Sequence, residues 1–264
     1  MSSLKRVFFK QAELQNGQLL VQGDPYHHLF RVCRLQTGAK LILVDEAYRE
    51  YIGTVITVSA ETACVQLPDE ALLPPDTSLL KAAPFSIYMA LAVLKGPAMD
   101  LALQKACELG VSRIIPLQLA RTVVHLDASK AATRQSRWQS IATAAAKQAG
   151  LRQVPLVEPL LSLPVFLQSW AQRSDQADLA LFANEHEKQQ TLKPLEARIQ
   201  SASALWALTG PEGGLAQQDT DLLRAAGWES ISLGDTILKA DTAPVVFLTL
   251  LKYIASERPK SEKF

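Results

Sequence analysis

Leu208-Thr209-Gly210-Pro211-Glu212-Gly213-Gly214 ends an apolar run, residues 204–208, on a turn of three glycines, a proline and a carboxylate. Leu233-Gly234-Asp235-Thr236-Ile237-Leu238 follows soon after, where a second short strand, residues 231–233, ends on Gly234. Glycine leaves backbone N–H and C=O groups open to a ligand because no Cβ stands in the way. Two adjacent strands ending in such turns make a crevice at the carboxyl edge of a sheet, the usual ligand position in α/β folds. The first turn is not a P-loop, since Lys and Ser/Thr do not follow in Walker order. Nor is it the spaced GxGxxG of a dinucleotide fold. A small, mostly neutral ligand held by backbone groups is the expectation.

Around these bends the 264 residues read as an α/β protein of two domains, 1–75 and 76–264. Residues 85–93 form a continuous apolar run, as in a strand buried on both faces. Residues 97–109 are helical, with Met99, Leu103, Ala106 and Leu109 on one stripe and Gly110 as stop. A strand at 113–117 and a helix over about 135–149 follow, the latter burying Trp138, Ile141, Ala142 and Ala145 and stopping at Gly150. Strands at 154–157 and 179–182 lead to the glycine turns, with a helix over about 217–226 between the turns. The last helix starts at Asp241 as N-cap and carries Pro244 in its first turn, where a missing N–H costs little. Alternation of this kind gives a mostly parallel sheet. Residues 1–67 read instead as short strands around one helix, in which Asp24 caps, Pro25 opens and 26–34 has helical spacing. That arrangement suggests a small β-barrel. Residues 68–76 read as a linker.

Composition narrows the function class. No apolar run reaches membrane-spanning length, and the first residues lack the apolar core of a signal peptide, so a soluble protein without a membrane partner is expected. Cys33, Cys64 and Cys107 are odd in number and far apart, which points to a reducing cytoplasm rather than a disulfide framework. His27, His28, His125 and His186 show no metal-ligand spacing, so no metal is expected. The net charge is only +1, yet residues 81–160 hold 10 Lys+Arg against 4 Asp+Glu. The first 40 residues are basic as well. Local basic segments on a neutral protein fit either contact with a polyanion or ordinary solvated surface.

Several motifs occur in one order: Leu94-Lys95-Gly96, Lys105-Ala106-Cys107-Glu108-Leu109-Gly110-Val111, Ile115-Pro116-Leu117, Arg121, the Gly-Pro-Glu-Gly-Gly turn and Leu233-Gly234 through Ile237-Leu238. With Arg6-Val7-Phe8-Phe9 and His28-Leu29-Phe30-Arg31-Val32-Cys33-Arg34 in front, the chain resembles RsmE-type methyltransferases of the SPOUT superfamily over nearly its whole length. The resemblance implies a PUA-like RNA-binding β-barrel followed by an α/β domain with a trefoil knot, in which the last helix threads loops 210–214 and 234–238. It implies a homodimer that transfers methyl from S-adenosylmethionine (SAM) to N3 of a uridine near the 3′ end of 16S ribosomal RNA (rRNA) in the small ribosomal subunit. A dimer is also expected from the last helix, apolar nearly all round from Ala243 to Leu251.

Residue by residue, the resemblance assigns cofactor binding to Leu208, Thr209, Gly210, Pro211, Glu212, Gly213, Gly214, Leu233, Gly234, Ile237, Leu238, Ala240 and Thr242. The apolar members and the glycines suit an adenine. Uracil N3–H is a weak acid, so the reaction needs in-line positioning and a cation that favours the anionic ring. Arg121 and Lys239 are the candidate cations. Glu212 is either the base or a residue that orders its loop. His28, Arg31 and Arg34, at i, i+3, i+6 of one helix, join Lys5, Arg6 and Lys10 as candidate phosphate contacts, with Lys95, Lys105, Arg113 and Arg152 extending them. Three places depart from the family pattern: Ala120-Arg121-Thr122 for Glu-Arg-Ser, Leu151 where an arginine is usual, and Lys239 for an arginine. Two other readings stay open: methylation of a different RNA base, and RNA binding as an assembly factor without turnover.

Overall fold

The computed structural model describes residues 4–45, 50–67, 86–151 and 153–257. It divides into two compact units, Met1–Ala82 and Ala83–Phe264. The linker expected at 68–76 and the boundary at 75/76 lie outside the described residues.

Among its described residues the first unit is one mixed sheet of six strands: β1 (Arg6–Phe8), β2 (Leu14–Gln15), β3 (Gln18–Gln22), β4 (Lys40–Val44), β5 (Glu50–Val58) and β6 (Thr62–Gln66). They lie in the order β1-β4-β5-β6-β3-β2, with β1 parallel to β4 and the other pairs antiparallel. A register shift between Val55 and Thr57 bends β5, as bulges do. Gly53 lets the strands close in: an added Cβ would stand 2.6 Å from Val65 and 2.7 Å from Leu43. A short helix, α1 (Gly23–Tyr26), runs straight into a π-helical segment, His27–Val32. Tyr26, Leu29 and Phe30 bury themselves on the sheet with Val7, Leu41 and Val65.

Two details of this segment differ from expectation. Asp24 does not cap the helix. Gly23, at φ +64°, turns the chain directly out of β3, which leaves Asp24 inside the first turn. Arg34 is not on the helix, which ends at Val32; Arg34 itself sits at φ +55°. The segment hydrogen-bonds across five residues, as in Cys33 N–H to His28 O at 2.9 Å. In such a winding an i, i+3, i+6 stripe no longer falls on one face.

The second unit is a parallel sheet. Its strands are β7 (Ser86–Ala92), β8 (Arg113–Gln118), β9 (Leu156–Val157), β10 (Leu161–Ser162), β11 (Leu179–Ala183), β12 (Ala204–Thr209) and β13 (Glu229–Ile231). The order is β10-β8-β7-β12-β11-β13, with β9 also paired to β8. The pairings are parallel, so the strands' carboxyl ends share one edge. The two strands ahead of the glycine bends are not neighbours, because β11 lies between β12 and β13. Parallel strands need crossovers, and local sequence does not say where a crossover sets its next strand down. β13 also ends two residues sooner than expected.

Among the described residues, six helices cover the sheet. α2 (Pro97–Glu108), α3 (Ala128–Ala149), α5 (Glu196–Ser201) and α7 (Ala243–Ser256) bury Met99, Leu103, Trp138, Ile199 and Phe247 on one face. α4 (Leu163–Arg173) and α6 (Gln217–Ala225) bury Phe166 and Leu223 on the other. Strand residues alternate between the two cores: Leu205 and Ala207 of β12 join the first, Trp206 and Leu208 the second. Asp127 caps α3 by accepting from Lys130 N–H at 2.9 Å, and Gly150, left-handed at φ +69°, ends it. α7 begins one residue later than the Asp241 cap would place it, with Thr242 at the N-cap. Thr242 N–H and Ala243 N–H both bond Lys239 O at 2.9 Å, which commits Asp241 to a turn.

One buried charge braces β8, β9 and α4. The Glu158 carboxylate accepts from Arg113 at 2.5 Å and from Arg173 at 2.7 Å. Burial pushes its pKa up, but the two guanidiniums outweigh burial and hold it below the ordinary value. Arg113 is therefore held in an ion pair on the sheet. Burial, with the Glu108 charge adding to it, pushes the Cys107 thiol up to about 12. Among the described residues, no helix is long and apolar enough to cross a membrane.

Candidate functional site

The carboxyl ends of β11, β12 and β13 open onto one cavity of about 700 Å³, large enough for a nucleoside-sized ligand. Thr209, Gly210, Pro211, Glu212 and Gly214 form one wall, and Leu233, Gly234, Ile237, Leu238, Lys239 and Ala240 form another. Ala98 of α2 and Ala243 of α7 complete the side toward the helices. The two bends picked out in the sequence therefore face one space. Leu208, Gly213 and Thr242 do not line it. Leu208 points into the α4/α6 core, and Gly213 lies behind the turn against Arg121.

The first bend is fixed by contacts that only glycine permits. Gly214 N–H bonds Pro211 O at 2.9 Å, and Gly214 sits at φ +69°. A Cβ there would overlap the Glu185 carboxylate, and one on Gly210 would stand 3.2 Å from Leu215. The turn is also tied to its surroundings. Glu212 Oε1 accepts from Lys95 N–H at 2.8 Å, joining the turn to the loop after β7. Arg121 Nη1 donates to Gly213 O at 3.1 Å, joining it to the loop after β8. That second loop is held by Asp219, which accepts from Ala120 N–H at 3.2 Å, and by Thr122, whose hydroxyl accepts from Leu119 N–H at 2.9 Å.

In the second bend Gly234 takes φ +125°, and its N–H lies 3.3 Å from Ser232 Oγ. Leu233 and Ala240 pack back on the main core, whereas Ile237 is 84% exposed at the cavity mouth. Lys239 is exposed on the lining and, among the described residues, makes no ion pair.

A third wall escaped the sequence reading: Asn184, Glu185, His186, Glu187 and Lys188, just after β11. The signal for it is the position of β11 between β12 and β13, which puts the end of that strand in the crevice. Asn184 is buried, bonds Ser230 Oγ at 3.2 Å and accepts from His186 N–H at 3.1 Å. Glu187 accepts from Gln189 N–H and Gln190 N–H, and these backbone bonds hold its pKa below the usual carboxylate value.

The remaining sequence candidates lie elsewhere. In the first unit, exposed Arg31 donates to Ala60 O at 2.6 Å and lies 6.0 Å over the Tyr26 ring. The Tyr26 hydroxyl grips the same turn through Ser59 O at 2.6 Å. His28 is exposed, with Nε2 at 3.7 Å from Cys33 Sγ, while Arg34 is exposed and Arg6 is half-buried in β1. In the second unit Lys95 is exposed, and Lys105 pairs with Glu108 at 2.7 Å. Arg152 lies outside the described residues.

Residues 81–252 match a family model described as an RNA methyltransferase domain, and residues 21–67 match one described as an RNA methyltransferase PUA domain. The sequence is 30% identical to ribosomal RNA small subunit methyltransferase E of Bacillus subtilis, over 88% of this chain and 89% of that one. It is 24% identical to the protein of the same name from Rickettsia conorii, over 95% and 96%. A Legionella pneumophila structure described as a methyltransferase in complex with the bound cofactor SAM superimposes with a TM-score of 0.80. It shares 26% identity over 95% of this chain and 98% of that one. A ribosomal RNA small subunit methyltransferase E from Neisseria gonorrhoeae, bound to SAM, shares the fold at 23% identity and a TM-score of 0.78, covering 96% and 98%.

Proposed function

The chain belongs to the RNA methyltransferase family, and from that premise we propose that it transfers methyl from SAM to N3 of a uridine near the 3′ end of 16S rRNA. The observation that carries the reading is the meeting of the 209–214 and 233–240 bends in one cavity, with Lys239 on its lining in no ion pair among the described residues. The residues present suit SAM. Leu233, Leu238, Ala240 and Ala243 offer apolar surface for the nucleobase, and the glycine bends leave backbone groups uncovered for polar edges. When bound, SAM supplies an electrophilic methyl on a sulfonium.

The chain's part is to exclude water, orient the uracil and stabilise negative charge on its ring as the N3 proton leaves. Lys239 is placed for the last task, since it stands on the lining and, among the described residues, makes no ion pair. Arg121 spends one donor on Gly213 O, and a guanidinium has others left for a phosphate or the base. Glu212, bonded to Lys95 N–H, orders the loop rather than acting as base.

In this reading Arg6, His28, Arg34, Lys95 and Arg152 meet the RNA while Arg31 is held at the Ser59–Ala60 turn, the loops at 210–214 and 234–238 belong to a trefoil knot, and the protein works in the cytoplasm as a homodimer. Leu250 and Tyr253 of α7, the latter 64% exposed, are the apolar surface that the second copy covers. The test is to map methyl groups on 16S rRNA from cells lacking the gene and from cells with it restored. One N3-methyluridine near the 3′ end, absent in the first and present in the second, is the expected result. An identical map in both strains would refute the reading.

A further inference from the structure

Ala120 and Arg121, neighbours in the loop after β8, are both bound to one short stretch that runs from the first glycine bend into α6. Arg121 Nη1 donates to Gly213 O at 3.1 Å, and Ala120 N–H donates to Asp219 Oδ2 at 3.2 Å. Asp219 is the third residue of α6 and 4% exposed. At that position an acidic side chain ordinarily turns back onto the end of its own helix. Here it reaches across 99 residues of sequence instead. A buried carboxylate carries a heavy desolvation cost, which a bond from one neutral backbone N–H offsets only in part. An exposed carboxylate would serve the end of α6 as well without that cost. Ala120 brings no polar side chain to the loop, so its backbone N–H is the handle by which the loop is held from this side. From the other side Thr122, 2% exposed, accepts from Leu119 N–H at 2.9 Å. The residue fixed between these two braces is Arg121, exposed, with its stem laid along Gly213.

We infer that Asp219 is a positioning residue for methyl transfer: by holding Ala120 N–H it keeps Arg121 in the pose that leaves its remaining guanidinium donors to the RNA. Asp219 lies off the cavity lining, so it acts through Arg121 and not on SAM. A long side chain works from a fixed Cα, and a displacement of about 1 Å costs up to ~100-fold in rate. The inference rests on the reading of Arg121 as a contact to phosphate or base.

The experiment uses the full chain, SAM labelled in its methyl group, and small ribosomal subunits from cells lacking the gene. The proteins compared are wild type, Asp219→Ala, Asp219→Asn, Arg121→Ala and the double variant of Asp219→Ala with Arg121→Ala. Asp219→Ala is expected to lower kcat/KM for the RNA about tenfold, the order of one hydrogen bond to a charged group. Its loss should divide between kcat and the KM for RNA in the same proportion as the loss in Arg121→Ala. The Kd of SAM by calorimetry should stay within about twofold of wild type, since Asp219 stands apart from the lining. Asp219→Asn keeps an acceptor oxygen and should recover most of the activity. The double variant should be no worse than Arg121→Ala alone, because residues that act through one group do not add. If Asp219→Ala fails to fold, Asp219→Ser, too short to reach Ala120 N–H, takes its place in the comparison. Further loss in the double variant, or no recovery in Asp219→Asn, would overturn the inference. Full kcat/KM in Arg121→Ala would instead overturn the reading of Arg121, and this inference with it. No methyl transfer by the wild type would overturn the proposed function itself.

Discussion

At the cavity edge the chain is shaped by glycine bends, while along residues 23–34 it presents side chains on a wound segment. The cavity bends depend on single residues whose conformations are local: Gly214 at φ +69°, Gly234 at φ +125°, and a turn closed between Pro211 and Gly214. A bend of this kind keeps its meaning wherever the strand before it is placed in the sheet. The basic segment depends on winding. Its change to a π-helix after Tyr26, and the left-handed Arg34, put His28, Arg31 and Arg34 in different surroundings, with Arg31 engaged at the Ser59–Ala60 turn. Sites built from backbone punctuation are thus more robust to errors of topology than sites built from assumed periodicity.

The sharpest way to break this contrast is Gly214→Ala. The new Cβ overlaps the Glu185 carboxylate, and φ +69° is strained for any L side chain. We expect SAM affinity to fall about 100-fold, an order-of-magnitude figure for two costs of this type. Adding Glu185→Ala should recover part of the loss and leave the backbone strain, which calorimetry on the two variants will separate.

A second test confines damage to the second unit. Glu158→Gln breaks a buried ion-pair cluster and should cost about 2–3 kcal/mol of stability at neutral pH. The carboxyl has a depressed pKa in the fold, so its contribution is fully present above the ordinary carboxylate value. It is lost as pH falls through that value toward the lower folded one. The Tm gap between wild type and variant should therefore close on acidification, with the basic segment of the first unit unaffected.

Smaller effects are expected from the loop tie. Glu212→Ala removes the acceptor for Lys95 N–H and should lower kcat/KM about tenfold, the value of one charge-assisted hydrogen bond. Glu212→Gln keeps an acceptor and should show near-normal turnover with an unchanged pH profile. A lost alkaline or acidic limb in that variant would return Glu212 to the role of base.

The smallest effects belong to the basic segment, where the two arginines should part company. Arg34→Ala should reduce the salt slope of RNA binding by about 0.7, as for one contact to a single strand. Arg31→Ala should act chiefly by lowering the Tm of the first unit, because it loses the bond to Ala60 O. Equal salt slopes for both variants would restore a single basic face.

These contrasts also explain what could be read from the amino acids alone. The β12 run and its glycine turn were legible because burial on both faces and φ > 0 each leave a local mark. Gly150 likewise marked the end of α3. Leu163, Phe166, Leu167 and Trp170 carry the i, i+3, i+4, i+7 spacing of α4, yet the sequence reading passes over that helix and goes from the strand at 154–157 straight to the one at 179–182. The wall at 184–188 was not legible, because it follows from β11 being set between β12 and β13, and no residue of β11 encodes that choice. The capping roles expected of Asp24 and Asp241 failed for opposite reasons: α1 begins at Gly23, one residue ahead of Asp24, whereas a turn closed on Lys239 O delays α7 past Asp241.

Hydrogen–deuterium exchange of the full chain with and without SAM tests the central claim most directly. The account predicts that SAM slows exchange together at 184–188, 209–214 and 232–241, while amides of the first unit keep their ligand-free rates. Protection of only one of those segments, or of a surface away from all three, would contradict it.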